Sequence, residues 1–146
     1  MKINGFWICT IPVNYLFKST VAKEKYLVSL SLKKYIKVLA KFRTSNHELE
    51  IEIGRHKGLR LEERLCEFCK ESGTYVIEDE YHLVLCCPLY ADLRHCYSWL
   101  TKRNSSFEFF IEIMNDTNEE HIVQFATFLD KSFAKRKQFI DSKITN

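Results

Sequence analysis

The stretch LCEFCKESGTYVIEDEYHLVLCCP, residues 65–88, carries the spacing C-x2-C-x12-H-x4-C, whose members are Cys66, Cys69, His82 and Cys87. Two cysteines separated by two residues can turn both sulfurs towards one ion, and a histidine and a cysteine farther along supply a second pair. Thiolates and imidazoles select zinc, whereas magnesium and calcium prefer oxygen ligands. The spacing therefore predicts a Zn²⁺ ion held by four side chains.

The fourth ligand is open between two neighbouring residues. Cys86 would give H-x3-C spacing, which zinc also accepts, and Cys87 gives H-x4-C. Pro88 favours a turn directly after Cys87. Free cysteines also serve as small core residues, which is the alternative explanation of the whole cluster. Because three sulfurs and one imidazole leave no open position on the ion, we predict a structural site and no catalytic residue.

Length and composition predict a single helical unit. The chain has 146 residues, 46% of them hydrophobic, which suffices for a core, and its four glycines and two prolines favour long helices over a sandwich or barrel. We predict a mostly α fold, a helical domain with a small zinc-knuckle-like insertion, which allows for one short strand pair. The segments are an apolar N-terminus (1–17), a basic helical segment and loop (18–64), the knuckle (65–90) and C-terminal helices (91–146).

Charge is distributed unevenly along the chain. Residues 18–64 hold twelve Lys or Arg against six Asp or Glu, whereas residues 65–130 hold four against twelve. The tail from 131 is basic again, and the total formal charge is +3. A polyanionic partner would therefore meet its attractive surface mainly in the first half.

An amphipathic helix is predicted in the basic segment, with Ser29 or Ser31 as its N-cap. Lys33, Lys37 and Lys41 lie opposite its apolar face and could follow a row of phosphates, although a lysine row is also typical of a solvated helix face. The apolar face, at steps of three and four residues, comprises Leu32, Tyr35, Ile36, Leu39 and Phe42.

A short strand and a basic loop are predicted before the knuckle. Leu49, Ile51 and Ile53 alternate with glutamates, which favours a strand that ends at Gly54. The loop that follows ends at Cys66, so its positive charges would lie beside the turn that carries Cys66 and Cys69. Its candidate nucleic-acid-binding residues are Arg55, Lys57, Arg60 and Arg64.

Two further helices are predicted near the C-terminus, because Ser105 with Glu108 and Thr117 with Glu120 have capping-box spacing. The last helix is expected to bury Ile122, Phe125, Ala126 and Leu129. It is expected to close with the cations that a helix C-terminus prefers, Lys131, Lys135, Arg136 and Lys137.

The apolar N-terminus imitates a secretory leader only loosely, because Asn4, Pro12 and Asn14 interrupt it and no convincing cleavage site follows. Free thiol ligands also fit a reducing compartment. We therefore expect an intracellular protein, nuclear or cytoplasmic, that is not secreted. No stretch approaches the about 20 apolar residues that cross a bilayer, so no membrane partner is expected.

Three runs, LAKFRTSNHELEIEIGRH (39–56), EERLCEFC (62–69) and IEDEYHLVLCCPLYADLR (77–94), resemble the C-terminal region of reverse transcriptases encoded by non-LTR retrotransposons of invertebrates. That region includes a small zinc-binding domain after the polymerase. The resemblance covers about residues 14–140. It implies the ligands Cys66, Cys69, His82 and Cys87, with Cys86 as a bystander.

The resemblance also implies nucleic-acid handling, in which a zinc module helps a parent enzyme grip its template RNA or target DNA. RNA or DNA, and a reverse transcriptase core, are therefore the expected partners. Polymerase chemistry does not carry over, because the chain lacks the paired aspartates that would hold two magnesium ions and is too short for fingers and palm.

Three hypotheses for the function follow. The favoured one is a zinc-stabilised accessory module that binds nucleic acid, with no polymerase activity of its own and no small-molecule substrate; Phe68, between the two cysteines, is its base-stacking candidate. The alternative is a zinc-stapled structural or protein-interaction module, or a truncated retroelement remnant without function. A thiol enzyme using Cys9 or Cys96 is disfavoured, since nothing supplies the required base.

Overall fold

Helices make up most of the computed structural model, which describes residues 2–3, 6–7, 33–102 and 104–145. The mostly α prediction is confirmed. Two-residue strands β1 (Lys2–Ile3) and β2 (Phe6–Trp7) pair antiparallel, with Lys2 opposite Trp7. A π-helix spans His82–Cys86, and 3-10 turns span Leu61–Glu63 and Pro88–Tyr90. The α-helices are α1 (Lys33–Arg43), α2 (Glu50–His56), α3 (Glu67–Glu71), α4 (Ala91–His95), α5 (Ser98–Thr101), α6 (Phe107–Asn115) and α7 (Glu119–Ile144).

Helix α1 has the amphipathic character that the sequence predicts. Leu39 and Phe42 are fully buried, and Tyr35 and Ile36 pack against the same core. The opposite face is exposed and carries Lys33, Lys37 and Lys41. The predicted N-caps Ser29 and Ser31, and Leu32 of the apolar face, lie outside the described residues.

The predicted strand over residues 49–53 is wrong, because helix α2 begins at Glu50. Leu49 precedes it in an extended conformation, and its carbonyl accepts the amide of Ile53 at 3.0 Å. Glu50 and Glu52 fall in the first turn, where the helix dipole favours negative charge. Both Ile51 and Glu52 are buried. The burial of two consecutive side chains is what a helix achieves and a half-exposed strand does not.

Helices α6 and α7 each begin one residue later than the capping-box prediction. The side chain of Ser106, not Ser105, accepts the amide of Phe109 at 3.2 Å. Asn118, not Thr117, accepts the amide of His121 at 3.1 Å. Helix α7 continues to Ile144, so the predicted cationic end at residues 131–137 is wrong and lies in the middle of the helix.

The core joins α7 to the N-terminal helix and to the knuckle. Helix α7 packs against α1 and α4. Phe42 of α1 meets Phe125 and Phe133 of α7 edge-on, with ring centroids 5.8 and 6.5 Å apart. The same buried cluster includes Leu83 and three cysteines of the knuckle, Cys66, Cys69 and Cys87, and His82 is buried beside them. The fold therefore holds the candidate ligands inside its core.

None of the helices among the described residues combines the length and the apolar character needed to cross a bilayer.

Candidate metal centre

Four buried side chains, Cys66, Cys69, His82 and Cys87, bring their ligand atoms within 4.8 Å of one another. The Cys87 Sγ atom lies 3.8 Å from that of Cys66 and 3.9 Å from that of Cys69, and the Cys69 Sγ atom lies 3.4 Å from His82 Nε2. These separations exceed the about 2.05 Å of a disulfide bond, and the three cysteines are free. The cluster is close enough to hold one metal ion.

The first ligand pair is carried by a short ladder and a helical turn. The amide of Cys66 donates to the carbonyl of Val76 at 2.9 Å, and the amide of Glu78 donates to that of Arg64 at 3.0 Å. Helix α3 begins directly after Cys66, which places Cys69 on its first turn. Gly73 then reverses the chain with a φ of 78°, a conformation that side chains rarely adopt.

The π-helical turn decides which cysteine joins the second pair. The amide of Cys87 donates to the carbonyl of His82 at 2.7 Å, five residues earlier. In such a turn residues five apart lie over one another, whereas in an α-helix residues four apart would do so. His82 and Cys87 therefore turn their side chains towards the same cluster, and Cys86 is exposed.

Asp79 fixes the start of this turn. Its Oδ1 atom accepts the amide of His82 at 2.7 Å, and its carbonyl accepts the amide of Leu83 at 3.0 Å. Burial raises the pKa of Asp79 to about 6. The capping hydrogen bond therefore orients the segment that carries the imidazole ligand.

Asp79→Ala is expected to destabilise the protein by about 0.5–2 kcal/mol, because the amide of His82 loses its cap. Asp79→Asn keeps an oxygen in the same place and should retain most of the stability. Urea denaturation of both variants measures the difference. Equal losses in the two variants would show that the carboxylate charge, rather than the cap, matters.

The three thiols do not ionise independently. A hydrogen bond from Cys87, together with one from His82, lowers the pKa of Cys66 to about 3. Burial and the neighbouring charge of Cys66 raise the pKa of Cys69 to about 11. The hydrogen bond to Cys66, and burial, raise the pKa of Cys87. Burial and the proximity of the sulfurs oppose the ionisation of all three thiols at once, so binding of a cation by three thiolates would release protons.

A buried ion pair ties the knuckle to helix α7. Arg136 donates to both carboxylate oxygens of Glu78, at 2.9 and 2.7 Å, and to Glu50 at 3.2 Å. The carbonyl of Glu78 accepts the amide of Ile51 at 3.0 Å. Arg136 was expected at a helix end and is instead a core residue. No local pattern marks it, because its partners lie 58 and 86 residues away.

A second buried acid lies two residues before the imidazole ligand. Glu80 accepts hydrogen bonds from His47 Nε2 at 2.9 Å and from Ser45 Oγ at 2.8 Å. Burial alone would raise the pKa of Glu80, but these hydrogen bonds lower it. The ring of His47 packs against both Phe42 and Phe133, whose rings also contact each other. In the sequence Glu80 is one member of an acidic run. No local pattern therefore predicts its contact with His47.

The basic loop is less available than predicted. Arg64 donates to the carbonyls of Leu59, at 2.8 Å, and Ile51, at 3.1 Å, and its side chain fills the space beside Gly54. Its guanidinium is therefore hydrogen-bonded to backbone carbonyls and is not free to contact a phosphate. The predicted loop does not begin at Arg55, which lies in the last turn of α2, is exposed and pairs with Glu52 at 3.0 Å. Arg60 is exposed and lies 3.4 and 3.5 Å from Glu62 and Glu63, and Lys57 faces solvent.

Phe68, the predicted stacking residue, is half-buried and packs edge-on against Phe139 of α7, with ring centroids 5.4 Å apart. It therefore packs the turn that carries Cys66 and Cys69 against helix α7. Tyr75, which no sequence pattern marks, is the exposed aromatic residue of the knuckle, with 69% exposure.

No protein-family model matches the chain, and neither a curated protein nor a solved structure matches it. The resemblance to the retroelement region rests on the quoted motifs.

Proposed function

We propose that the chain is a zinc-stapled helical module that binds nucleic acid and has no polymerase activity of its own. The observation that carries the proposal is the buried set of three sulfurs and one imidazole inside the core. Four such ligands complete a tetrahedral ion, so the metal would contribute to folding. The surface that remains for a partner is then formed by the helices around the knuckle.

The interatomic distances support zinc as the ion. A tetrahedral zinc with bonds of about 2.3 Å to sulfur and about 2.0 Å to nitrogen has sulfur–sulfur edges of about 3.8 Å and sulfur–nitrogen edges of about 3.5 Å. Three of the six separations among the ligand atoms fit these values, at 3.8 and 3.9 Å between sulfurs and 3.4 Å between sulfur and nitrogen, and all six lie within 4.8 Å. Cys66, Cys69, His82 and Cys87 would hold the ion, and Cys86 would not.

Exposed lysines on α1 support nucleic acid as the partner. Lys33, Lys37 and Lys41 recur every four residues and are exposed, and none of them forms an ion pair within the part of the chain that the structure describes. A four-residue step on a helix advances about 6 Å, so the three ammonium groups form a row along one face. Of the cations predicted to bind nucleic acid, the ones proposed to contact phosphates are therefore these three lysines and Lys57.

Lys37→Ala with Lys41→Ala is expected to weaken binding to single-stranded RNA at low salt. If each lysine contacts one phosphate, the slope of log K against log salt should become shallower by about 1.4. Fluorescence anisotropy with a labelled oligonucleotide at several salt concentrations measures the slope. Lys131→Ala with Lys137→Ala removes the same charge from exposed positions of α7 and is the control. Equal slope changes in both pairs would contradict a site on α1.

A structural or protein-interaction module is the second candidate. Internal pairing of Arg55, Arg60 and Arg64 favours it, because it removes cations that would otherwise meet phosphates. This role predicts metal-dependent folding together with no salt-sensitive RNA binding.

A further inference from the structure

Arg94 lies in the core directly behind the second ligand pair. Its side chain comes from α4 and donates from Nη2 to the carbonyl of Cys87 at 2.5 Å and from Nη1 to the carbonyl of Leu83 at 3.3 Å. The residue is 9% exposed. It thus holds two carbonyls of the turn that carries His82 and Cys87, at the point where the π-helical ladder ends.

The charge of this guanidinium has no carboxylate partner. Within residues 33–102 and 104–145, no acidic side chain forms an ion pair with Arg94. The charge of Asp92 acts on Arg94 only from a longer distance, because Asp92 pairs directly with Lys135 at 2.7 Å. The other buried arginine, Arg136, has Glu78 and Glu50 as partners. A buried charge without a paired counter-charge is costly, so a negative group close to Arg94 would stabilise the fold.

The metal centre can supply that charge. Three thiolates around a divalent cation, with a neutral imidazole as fourth ligand, leave one net negative charge on the complex. Cys87 is one of those thiolates, and its own carbonyl is the atom that Arg94 holds at 2.5 Å. The guanidinium of Arg94 is therefore hydrogen-bonded to the backbone of Cys87, the residue whose thiolate charge it would offset.

We propose that Arg94 is the counter-ion of the metal–thiolate centre and the positioning residue of Cys87. This inference rests on the proposed metal site and assigns a role to a residue outside its ligand set. The guanidinium acts in two ways: its hydrogen bonds fix the turn that aims the Cys87 sulfur, and its charge offsets the net negative charge of the metal–thiolate complex. Groups that orient metal ligands in this way change metal affinity without touching the ion.

Arg94→Met in the full chain tests the proposal, with Co²⁺ as the metal. Methionine keeps much of the apolar volume but removes the charge and both hydrogen bonds. Co²⁺ affinity, measured by competition with a chelator, should fall by about 10- to 100-fold. The visible d–d bands of the bound Co²⁺ should also shift, because the Cys87 sulfur is no longer held in place.

Two variants separate this role from general stability. Arg136→Met also removes a buried guanidinium, but the d–d bands of its bound Co²⁺ should match those of the wild type at saturation. Arg94→Lys keeps the charge and should recover a large part of the lost affinity, which also provides a test if Arg94→Met does not fold. The proposal would be overturned if Arg94→Met kept the wild-type Co²⁺ affinity and d–d bands. It would also be overturned if Arg94→Lys lost as much Co²⁺ affinity as Arg94→Met. A wild-type chain that binds no Co²⁺ would instead overturn the metal site itself.

Discussion

Cys87→Ser is expected to abolish stoichiometric metal binding and to unfold the knuckle, whereas Cys86→Ser should change neither. The Cys87 side chain is fully buried, and its sulfur lies 3.8 and 3.9 Å from the other two cluster sulfurs. A serine hydroxyl is a poor replacement for a thiolate ligand of zinc. A structural zinc contributes about 10–16 kcal/mol in small peptides, which is comparable to the about 5–15 kcal/mol that stabilises a whole domain.

Cys86→Ser is the matched control for Cys87→Ser, because the two cysteines are adjacent in the chain. Cys86 is exposed, and a substitution at such a position usually changes stability by less than about 0.5 kcal/mol. Circular dichroism during thermal unfolding, with and without a chelator, measures both variants against the wild type. We expect Cys87→Ser to behave like chelated wild type and Cys86→Ser to behave like untreated wild type. If the two serine variants respond alike, the assignment of the fourth ligand is wrong.

Arg136→Met should cost about 3–5 kcal/mol of unfolding free energy, because it leaves the buried carboxylate of Glu78 without its counter-charge. Glu78 is 4% exposed and receives two hydrogen bonds from the guanidinium. The same pair connects α7 to the segment directly before the imidazole ligand. Loss of the pair should therefore weaken the packing of the long helix against the knuckle, while the four candidate ligands keep their own contacts.

Urea denaturation at neutral pH measures this effect, and Lys135→Met is the matched control on the same helix. The partner of Lys135, Asp92, has a side chain that is 65% exposed, and such surface pairs contribute about 0.2–1 kcal/mol. Glu78→Gln combined with Arg136→Met should be less destabilised than Arg136→Met alone, because the most buried carboxylate is then neutral and its amide oxygen can still accept the amide of Glu50. Glu50 also loses its contact with Arg136, but its side chain is 21% exposed and water can solvate it. If Arg136→Met costs no more than Lys135→Met, the buried pair does not stabilise the fold.

The candidate ligands could be predicted from the sequence because the chemistry of a metal site depends on residue type and short spacing. The choice between Cys86 and Cys87 could not, because spacing alone does not distinguish an α-helical turn from a π-helical one. The resemblance favours Cys87, and the π turn at His82 supplies the physical reason.

The error over residues 49–53 has a different cause. Alternation of apolar residues and glutamates is the pattern of a strand, but the surrounding core buries Ile51 and Glu52 together. The amide of Ile51 bonds to the carbonyl of Glu78, far along the chain, and that contact is invisible to a local pattern. Tertiary packing here outweighs the local preference.

The groups that support the site were not predicted for the same reason. Arg94 looks like an ordinary cation on a short helix, and Arg136 like one of several cations in α7. Their roles depend on the carbonyl of Cys87 and the carboxylate of Glu78, which only the folded chain brings near them. Burial of the guanidinium distinguishes both from exposed cations such as Lys137.

Elemental analysis of the freshly purified full chain tests the central claim most directly. The account predicts one zinc ion per chain in the wild type and in Cys86→Ser, and none in Cys87→Ser. A wild-type chain that folds without a stoichiometric transition metal would contradict it, since the four side chains would then be packing residues of the core.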